Sequence, residues 1–169
     1  TGDELIVKHA LDSLAAWPLV AELAPGGTVV DIGSGAGFPG IPLAVALPGT
    51  AFTLLERSAV RTAFLKNCSI LLGLTNVTVV EADLRSAVGM FDVATFRAFA
   101  PLDRFLAGLS RSRLSCRAIL AYKGRPERAR AEVDRARAAG WAGDIEVREV
   151  TVPFLDEERC VVVARPAGR

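Results

Sequence analysis

The residues best placed to do chemistry lie in one short stretch, Asp31-Ile32-Gly33-Ser34-Gly35-Ala36-Gly37-Phe38-Pro39-Gly40, and in a single acid further along, Glu56. Glycine has no Cβ, so alternating glycines let the backbone turn sharply and approach a ligand closely. Such a run is costly in conformational entropy, which makes it a poor choice for a turn with no ligand. A carboxylate at Glu56 is suited to accept hydrogen bonds from both hydroxyls of a ribose. Backbone for close approach and an acid for a sugar are the two halves of a nucleotide-type cofactor site.

A scaffold must bring these halves together. Short β-rich runs alternate with longer helical ones along the chain. The pattern predicts strands at Thr28–Ile32, Ala51–Glu56, Val77–Val80, Phe91–Phe96 and Ala118–Tyr122. Helices are predicted at Pro39–Leu47, Ala59–Leu72 (with Gly73 as the stop), Pro101–Leu109 and Glu127–Ala139. Ile145–Val152 and Cys160–Ala164 read as a closing antiparallel hairpin at the sheet edge. The residues before Thr28 read as one leading helix whose face carries Leu5, Ile6, His9, Leu14 and Trp17. The fold class is α/β: a Rossmann-like, mostly parallel seven-stranded sheet with a C-terminal antiparallel hairpin. Residues 1–169 form one domain, with a helical lead over 1–24 and a core over 28–165. In such a sheet ligands bind at the carboxyl ends of the strands, where both the glycine run and Glu56 fall.

Two cofactors compete for this site. Gly35-Ala36-Gly37-Phe38-Pro39-Gly40 matches the dinucleotide pattern G-x-G-x-x-G, and Glu56 follows at a suitable distance. The glycines begin earlier, however, at Gly33, with Asp31 two residues ahead. Asp31 would face the pyrophosphate of a dinucleotide, whereas the α-amino group of a sulfonium cofactor can use its charge. The pattern D-x-G-x-G-x-G with an acid ending strand two resembles the first motifs of Rossmann-like methyltransferases. That resemblance implies S-adenosylmethionine, with Asp83 and the backbone of Leu84 near the adenine. On its own residues Asp83 reads equally well as a turn or helix cap.

Composition narrows the field further. The 169 residues are 51% apolar with a net charge of +1, and mean hydropathy is +0.34. That composition fits a single domain with a sizeable core. No apolar run approaches the roughly 18 residues of a membrane span, and Thr1-Gly2-Asp3-Glu4 lacks the start of a signal peptide. A cytoplasmic monomer without a membrane partner is expected. Cys68, Cys116 and Cys160 are scattered, so neither a disulfide framework nor a metal site is expected. His9 is the single histidine, which removes most histidine-based catalysis; a structural role for it is the favoured expectation. Basic residues outnumber acids between Arg111 and Arg137. That excess could face phosphates, although a solvated, partly paired helix explains it as well.

The residues around these motifs resemble one family, the ribosomal RNA small-subunit methyltransferase G family, also called GidB. The glycine run continues as Phe38-Pro39-Gly40-Ile41-Pro42-Leu43-Ala44, an extension much narrower than the general methyltransferase loop. Further matches follow in order: His9-Ala10-Leu11-Asp12-Ser13-Leu14; Leu54-Leu55-Glu56 with Arg61 and Phe64-Leu65; Leu74-Thr75-Asn76-Val77; Arg97-Ala98-Phe99-Ala100; Lys123-Gly124; and Val152 through Arg159. After strand three the family carries an acidic pair where this chain has Asp83-Leu84-Arg85. It also carries more sequence ahead of His9.

The resemblance implies methyl transfer from S-adenosylmethionine to N7 of a guanine in 16S rRNA, on naked RNA or on the small ribosomal subunit. It implies Asp31, Gly33, Ser34, Gly35, Gly37, Phe38, Glu56, Asp83, Leu84 and Arg85 around the cofactor. Arg97 is implied at the mouth as the catalytic and RNA-facing residue, with an ion pair to Asp92 or Asp103 as its structural alternative. Arg61, Lys123 and Arg125 are expected to face RNA phosphates. Phe38, Phe96 and Phe99 are candidates to stack on a base, with core packing the safer reading for Phe96. The competing expectations are a methyltransferase for a small molecule or protein, an NAD-dependent oxidoreductase, and a non-catalytic RNA-binding module.

Overall fold

The computed structural model describes residues 6–167, so Leu5, expected on the leading helix, lies outside them. Seven strands form one sheet: β1 (Thr28–Ile32), β2 (Ala51–Glu56), β3 (Val77–Glu81), β4 (Val88–Arg97), β5 (Arg113–Lys123), β6 (Asp144–Val150) and β7 (Arg159–Arg165). Their order is β3-β2-β1-β4-β5-β7-β6. The first five run parallel, and β7 runs antiparallel to both β5 and β6. The chain steps one way from β1 to β2 and β3, then returns to the other side of β1 as β4. This reversal opens a crevice between the carboxyl ends of β1 and β4, the point at which doubly wound sheets take their ligands.

Successive side chains on a strand point to opposite faces, so the parallel strands bury both. On one face Val30, Ile32, Phe96, Ile119 and Val162 pack under α6 (Leu102–Ser110) and α7 (Pro126–Ala138). Phe96 stacks on Phe105 of α6 at a centroid distance of 3.9 Å, which places Phe96 in the core as expected. On the other face Val29, Phe52, Val93, Leu120 and Val161 pack with Leu43 and Ala44 of α4 (Gly40–Ala46). The remaining crossover helix, α5 (Ala59–Leu71), joins β2 to β3.

The leading segment differs from the single helix expected. It is broken into α1 (Ile6–Leu11, π-helical), α2 (Asp12–Leu14) and α3 (Trp17–Leu23). Pro18 opens α3, where its missing N–H is harmless, but it cannot continue a helix arriving from upstream. The buried stripe is Asp12, Ala16, Val20 and Ala24, not the predicted face: Trp17 is 48% exposed and Ile6 53%. Small residues at four-residue spacing let α3 sit close against the sheet. Of the predicted face, Ile6 and Trp17 turn outward, while His9 and Leu14 are half-buried. β4 and β5 also begin earlier than predicted, because Val88–Phe91 pair with Arg113–Cys116 in a stretch whose exposed face breaks the apolar pattern.

One side chain fixes the height of α4 against the sheet. The two N–H groups of Asn76 Nδ2, at the entry to β3, are shared among the carbonyls of Ala44 (3.0 Å), Leu47 (3.2 Å) and Thr50 (3.0 Å). It therefore closes the last turn of the helix that the glycine loop leads into. Asn76→Ala leaves those carbonyls without this donor and should cost about 2 kcal/mol. Urea denaturation checks this; a loss below about 0.5 kcal/mol, the ordinary range for surface substitutions, would show that the three bonds do not hold α4.

Candidate active site

β1 ends at Ile32, and the chain turns at once across the crevice. The Gly33 and Ser34 N–H groups donate to the Leu55 carbonyl (2.8 and 3.2 Å), and Ser34 Oγ donates back to the Asp31 carbonyl (2.9 Å). Gly33 sits at φ +71°, and a Cβ there would stand 2.3 Å from Cδ2 of Phe99. Both the left-handed backbone and the close approach of the Phe99 ring require glycine. Gly40 has a different reason to be glycine: a Cβ there would lie 2.4 Å from a Leu54 methyl and 2.7 Å from Asp31 Oδ2.

Asp31 lies beneath this loop, 1% exposed. Its Oδ2 accepts the Gly40 N–H at 3.1 Å, so it fastens the end of the glycine loop to β1. Burial pushes its carboxyl up to about 7, although Ser34, the Gly40 N–H and the Arg97 charge each pull the other way. Glu56, 4% exposed at the tip of β2, accepts the Gly35 N–H on Oε2 (3.0 Å) and the Ser58 N–H on Oε1 (2.9 Å). Each oxygen keeps a lone pair for a further donor. The two acids of the sequence motif thus hold the loop from below and from its side.

The opposite wall comes from β4 and the leading segment. Arg97, the last residue of β4, places its guanidinium 5.3 Å from the Phe38 ring centroid. Its Nη1 donates to Asp12 Oδ2 (3.1 Å) and to the Lys8 carbonyl (3.2 Å). Its Nη2 lies 3.0 Å from His9 Nδ1; a guanidinium can only donate, so Nδ1 accepts. The His9 ring also stacks on Phe38 at 5.3 Å. The favoured reading of His9 is structural, with a place near the site as the second; it makes its packing and hydrogen-bond contacts with residues of the candidate site. The expected partners of Arg97 do not hold it. Asp92 accepts Thr28 N–H (2.9 Å) and pairs with Arg117, and Asp103 makes no ion pair among the described residues.

Other predicted residues separate. Asp83 is exposed and caps a turn: its Oδ1 accepts the Arg85 N–H (2.9 Å) and its carbonyl accepts Ser86 and Ala87. Leu84 turns its side chain into the core, and Arg85 is exposed. The segment remains beside Glu56, because the Ala82 N–H donates to the Glu56 carbonyl (3.1 Å). Lys123 is not turned toward solvent as a phosphate-facing residue would be. It pairs with Glu132 at 2.7 Å, donates to the Ala100 carbonyl (3.4 Å) and lies 5.5 Å from the Phe96 centroid. Arg61 and Arg125 are exposed, and neither pairs with a carboxylate among the described residues. Asp12, Glu132 and Arg159 escaped the sequence reading. Asp12 and Arg159 lie within matched segments, but nothing in the spacing shows that they meet.

A family model described as GidB, rRNA small subunit methyltransferase G, matches residues 1–161. The chain belongs to this family. A curated relative of that name from Cupriavidus necator is 42% identical over 95% of this chain and 74% of its own length. One from Treponema pallidum (strain Nichols) is 39% identical over 95% of this chain and 72% of its own. Among solved structures, a METTL16 methyltransferase domain superposes with a TM-score of 0.68 at 15% identity, covering 90% of this chain and 81% of that one. Magnesium protoporphyrin IX methyltransferase from Synechocystis PCC 6803, solved with bound S-adenosylmethionine, gives 0.63 at 20% identity, covering 92% and 77%. These distant structures share the fold. Membership in GidB sets aside the dinucleotide alternative, and S-adenosylmethionine is the cofactor. The residues present fit it: the space a Cβ would take at Gly35 holds no side chain, its nearest neighbour being the Gly33 carbonyl at 3.7 Å, and Glu56 retains acceptor capacity on both oxygens.

Asp31 gives a prediction with a definite sign. Its carboxyl rises from 3.8 to about 7 on folding. Between those values the folded protein holds a proton that the unfolded chain has lost. The stability tied to protonated Asp31 is therefore complete below pH 4 and is lost as pH rises through 7. Asp31→Asn removes that dependence while keeping an acceptor for Gly40. Relative to wild type, the variant should gain on the order of 3 kcal/mol between pH 4 and pH 8. Urea denaturation at the two pH values measures it, and a wild-type–variant difference that stays constant across the window would refute the assignment.

Proposed function

We propose that this GidB protein transfers a methyl group from S-adenosylmethionine to N7 of a guanine in 16S rRNA of the small ribosomal subunit, in the cytoplasm. The observation that carries the proposal is the juxtaposition across the β1/β4 crevice. The glycine loop and Glu56 line one side, and the Phe38–Arg97–His9 wall lines the other. In this reading Asp31, Gly33, Ser34, Gly35, Gly37 and Phe38 shape the cofactor cradle, Glu56 takes the ribose, and the Asp83-Leu84-Arg85 turn borders the adenine.

The bound cofactor supplies an electrophilic methyl on a sulfonium, and guanine N7 already carries the lone pair that takes it up. No proton has to be removed first. That suits a site whose one imidazole already accepts a hydrogen bond from Arg97 through Nδ1. What remains for the protein is alignment, which can contribute roughly 7–11 kcal/mol to such a reaction. Among the described residues three of the five N–H groups of Arg97 are already donated, which leaves two for the O6 edge of a guanine or for a phosphate. Phe99, 43% exposed above Gly33, offers a face on which a base can stack. Arg61 and Arg125 supply exposed charge for RNA phosphates. Lys123 acts from behind, holding Glu132, which in turn accepts the Leu102 N–H that starts α6 (2.8 Å).

The test uses tritiated S-adenosylmethionine and small subunits from cells lacking the modification. Borohydride reduction and aniline then cleave RNA at N7-methylguanine. A single labelled, cleavable site is expected. Glu56→Ala should weaken cofactor binding about 10- to 100-fold by calorimetry, the loss expected for hydrogen bonds to a charged group. Label that enters the RNA without creating a cleavable site would exclude N7, and label that enters only protein or small molecules would exclude the RNA substrate.

A further inference from the structure

The carboxylate of Asp12 lies between two arginines, one from the end of β4 and one from the start of β7, strands separated in the sheet only by β5. Oδ2 meets Arg97 Nη1 at 3.1 Å, and Oδ1 meets Arg159 Nε at 3.2 Å. Asp12 is 7% exposed, and the side chains of Arg97 and Arg159 are 19% and 18% exposed. Arg159 is tied in turn to Glu157 by a 2.9 Å ion pair. The adjoining residue, Ser13, accepts the Tyr122 hydroxyl through its carbonyl at 2.7 Å, which pins the backbone of this segment to β5. Among the described residues no hydrogen bond or ion pair joins the Asp12 side chain to the glycine loop or to Glu56. Its reach into the site passes through Arg97.

We propose that Asp12, held in place by Arg159, is the positioning residue that fixes the plane and reach of Arg97. A guanidinium is a rigid planar fork, so two anchoring points define its plane. Asp12 takes Nη1, and His9 takes Nη2. The ring of Phe38 then lies against the same group. With the charge of Asp12 removed, one anchor weakens. A buried arginine with a weakened partner turns toward water or another acceptor rather than staying where it is. Arg159 keeps the carboxylate from following Arg97 as it shifts, because both carboxylate oxygens are engaged. The consequence for turnover rests on the functional reading of Arg97 given above; the positioning itself does not.

The protein carries its own reporter. His9 is the only histidine in the chain, and its Nδ1 accepts from Arg97, so one imidazole signal reads the position of that guanidinium. Asp12→Asn and Arg159→Gln are compared with wild type by long-range proton–nitrogen NMR of the imidazole, by calorimetry with S-adenosylmethionine, and by steady-state methylation of small subunits. Wild type should show Nδ1 as the unprotonated acceptor. Asp12→Asn should abolish that fixed tautomer and lower kcat about 10- to 100-fold, the cost of misplacing an aligned group by about an ångström, with cofactor affinity within two-fold of wild type. Arg159→Gln should move both readouts in the same direction by less. A loss of stability alone leaves the imidazole of the folded protein unchanged, so an unaltered His9 signal overturns the proposal whatever happens to activity. An altered signal with unchanged kcat also overturns it as a positioning role in the reaction, while wild-type methylation would leave the proposed function standing. If Asp12→Asn fails to fold, Arg159→Gln decides by the same two readouts. An inactive wild type would sink the proposed function, and the imidazole signal would still decide whether Asp12 fixes Arg97.

Discussion

The site is organised by a buried acid. Asp31, next to last in β1, lies on the face covered by α4 and accepts the first amide of that helix, Gly40 N–H. Everything between the two residues is therefore a closed loop of fixed span, and the glycines inside it must meet that span in left-handed turns. Gly40 has to lack a Cβ because the carboxylate and Leu54 already fill the space. Burying the acid is expensive in itself, which is why its carboxyl rises to about 7. A polar group kept where an apolar one would stabilise more is a common mark of a functional site. Here the same group both shapes the loop and leaves a neutralisable charge beneath it.

A second constraint governs the cations at the strand ends. Arg97 and Lys123, neighbours at the carboxyl ends of β4 and β5, are each paired with an acid from another element: Asp12 from the leading segment, Glu132 from α7. These pairs are mostly shielded from water, so salt screens them less than it screens surface pairs. Breaking either would strand a charge, which costs more than the pair contributes. The mouth is thereby rigid where it touches the crevice, and Arg61 and Arg125, which pair with no carboxylate among the described residues, are exposed at its rim. On the proposed reading, the rigid inner wall would place the reacting group and the charged outer rim would collect the phosphate backbone.

Most of the framework was legible because each element carries a local signature. Apolar runs bounded by turn residues marked the strands, and the glycine run with Glu56 marked the loop and its acid. What was illegible depended on distance or on small residues. Asp12 and Arg97 lie 85 positions apart, and no pattern in either neighbourhood announces the other. Asp92 and Asp103 were nearer in sequence and therefore looked like better partners. The leading helix was misread because Leu, Ile and Trp dominate a periodicity count, whereas the sheet accepts Ala16, Val20 and Ala24. Lys123 looked like a phosphate contact because its strand end was right. Its direction was set by Glu132, which the charge count treated only as dilution of a basic run.

The chemistry proposed for this protein explains why so little of the site is built to move protons. A purine N7 attacks as it stands, so a general base would add nothing to the step, and rate must come from geometry. Geometry is best held by groups that cannot relax: strand ends, a stacked ring pair and a guanidinium anchored at more than one point. Phe38 is the element shared by both halves, because it continues the glycine loop and lies against His9 and Arg97. A displacement of the loop is therefore also a displacement of the wall. On the proposed reading, cofactor and target base would be brought into register by one continuous piece of packing rather than by two sites that must find each other.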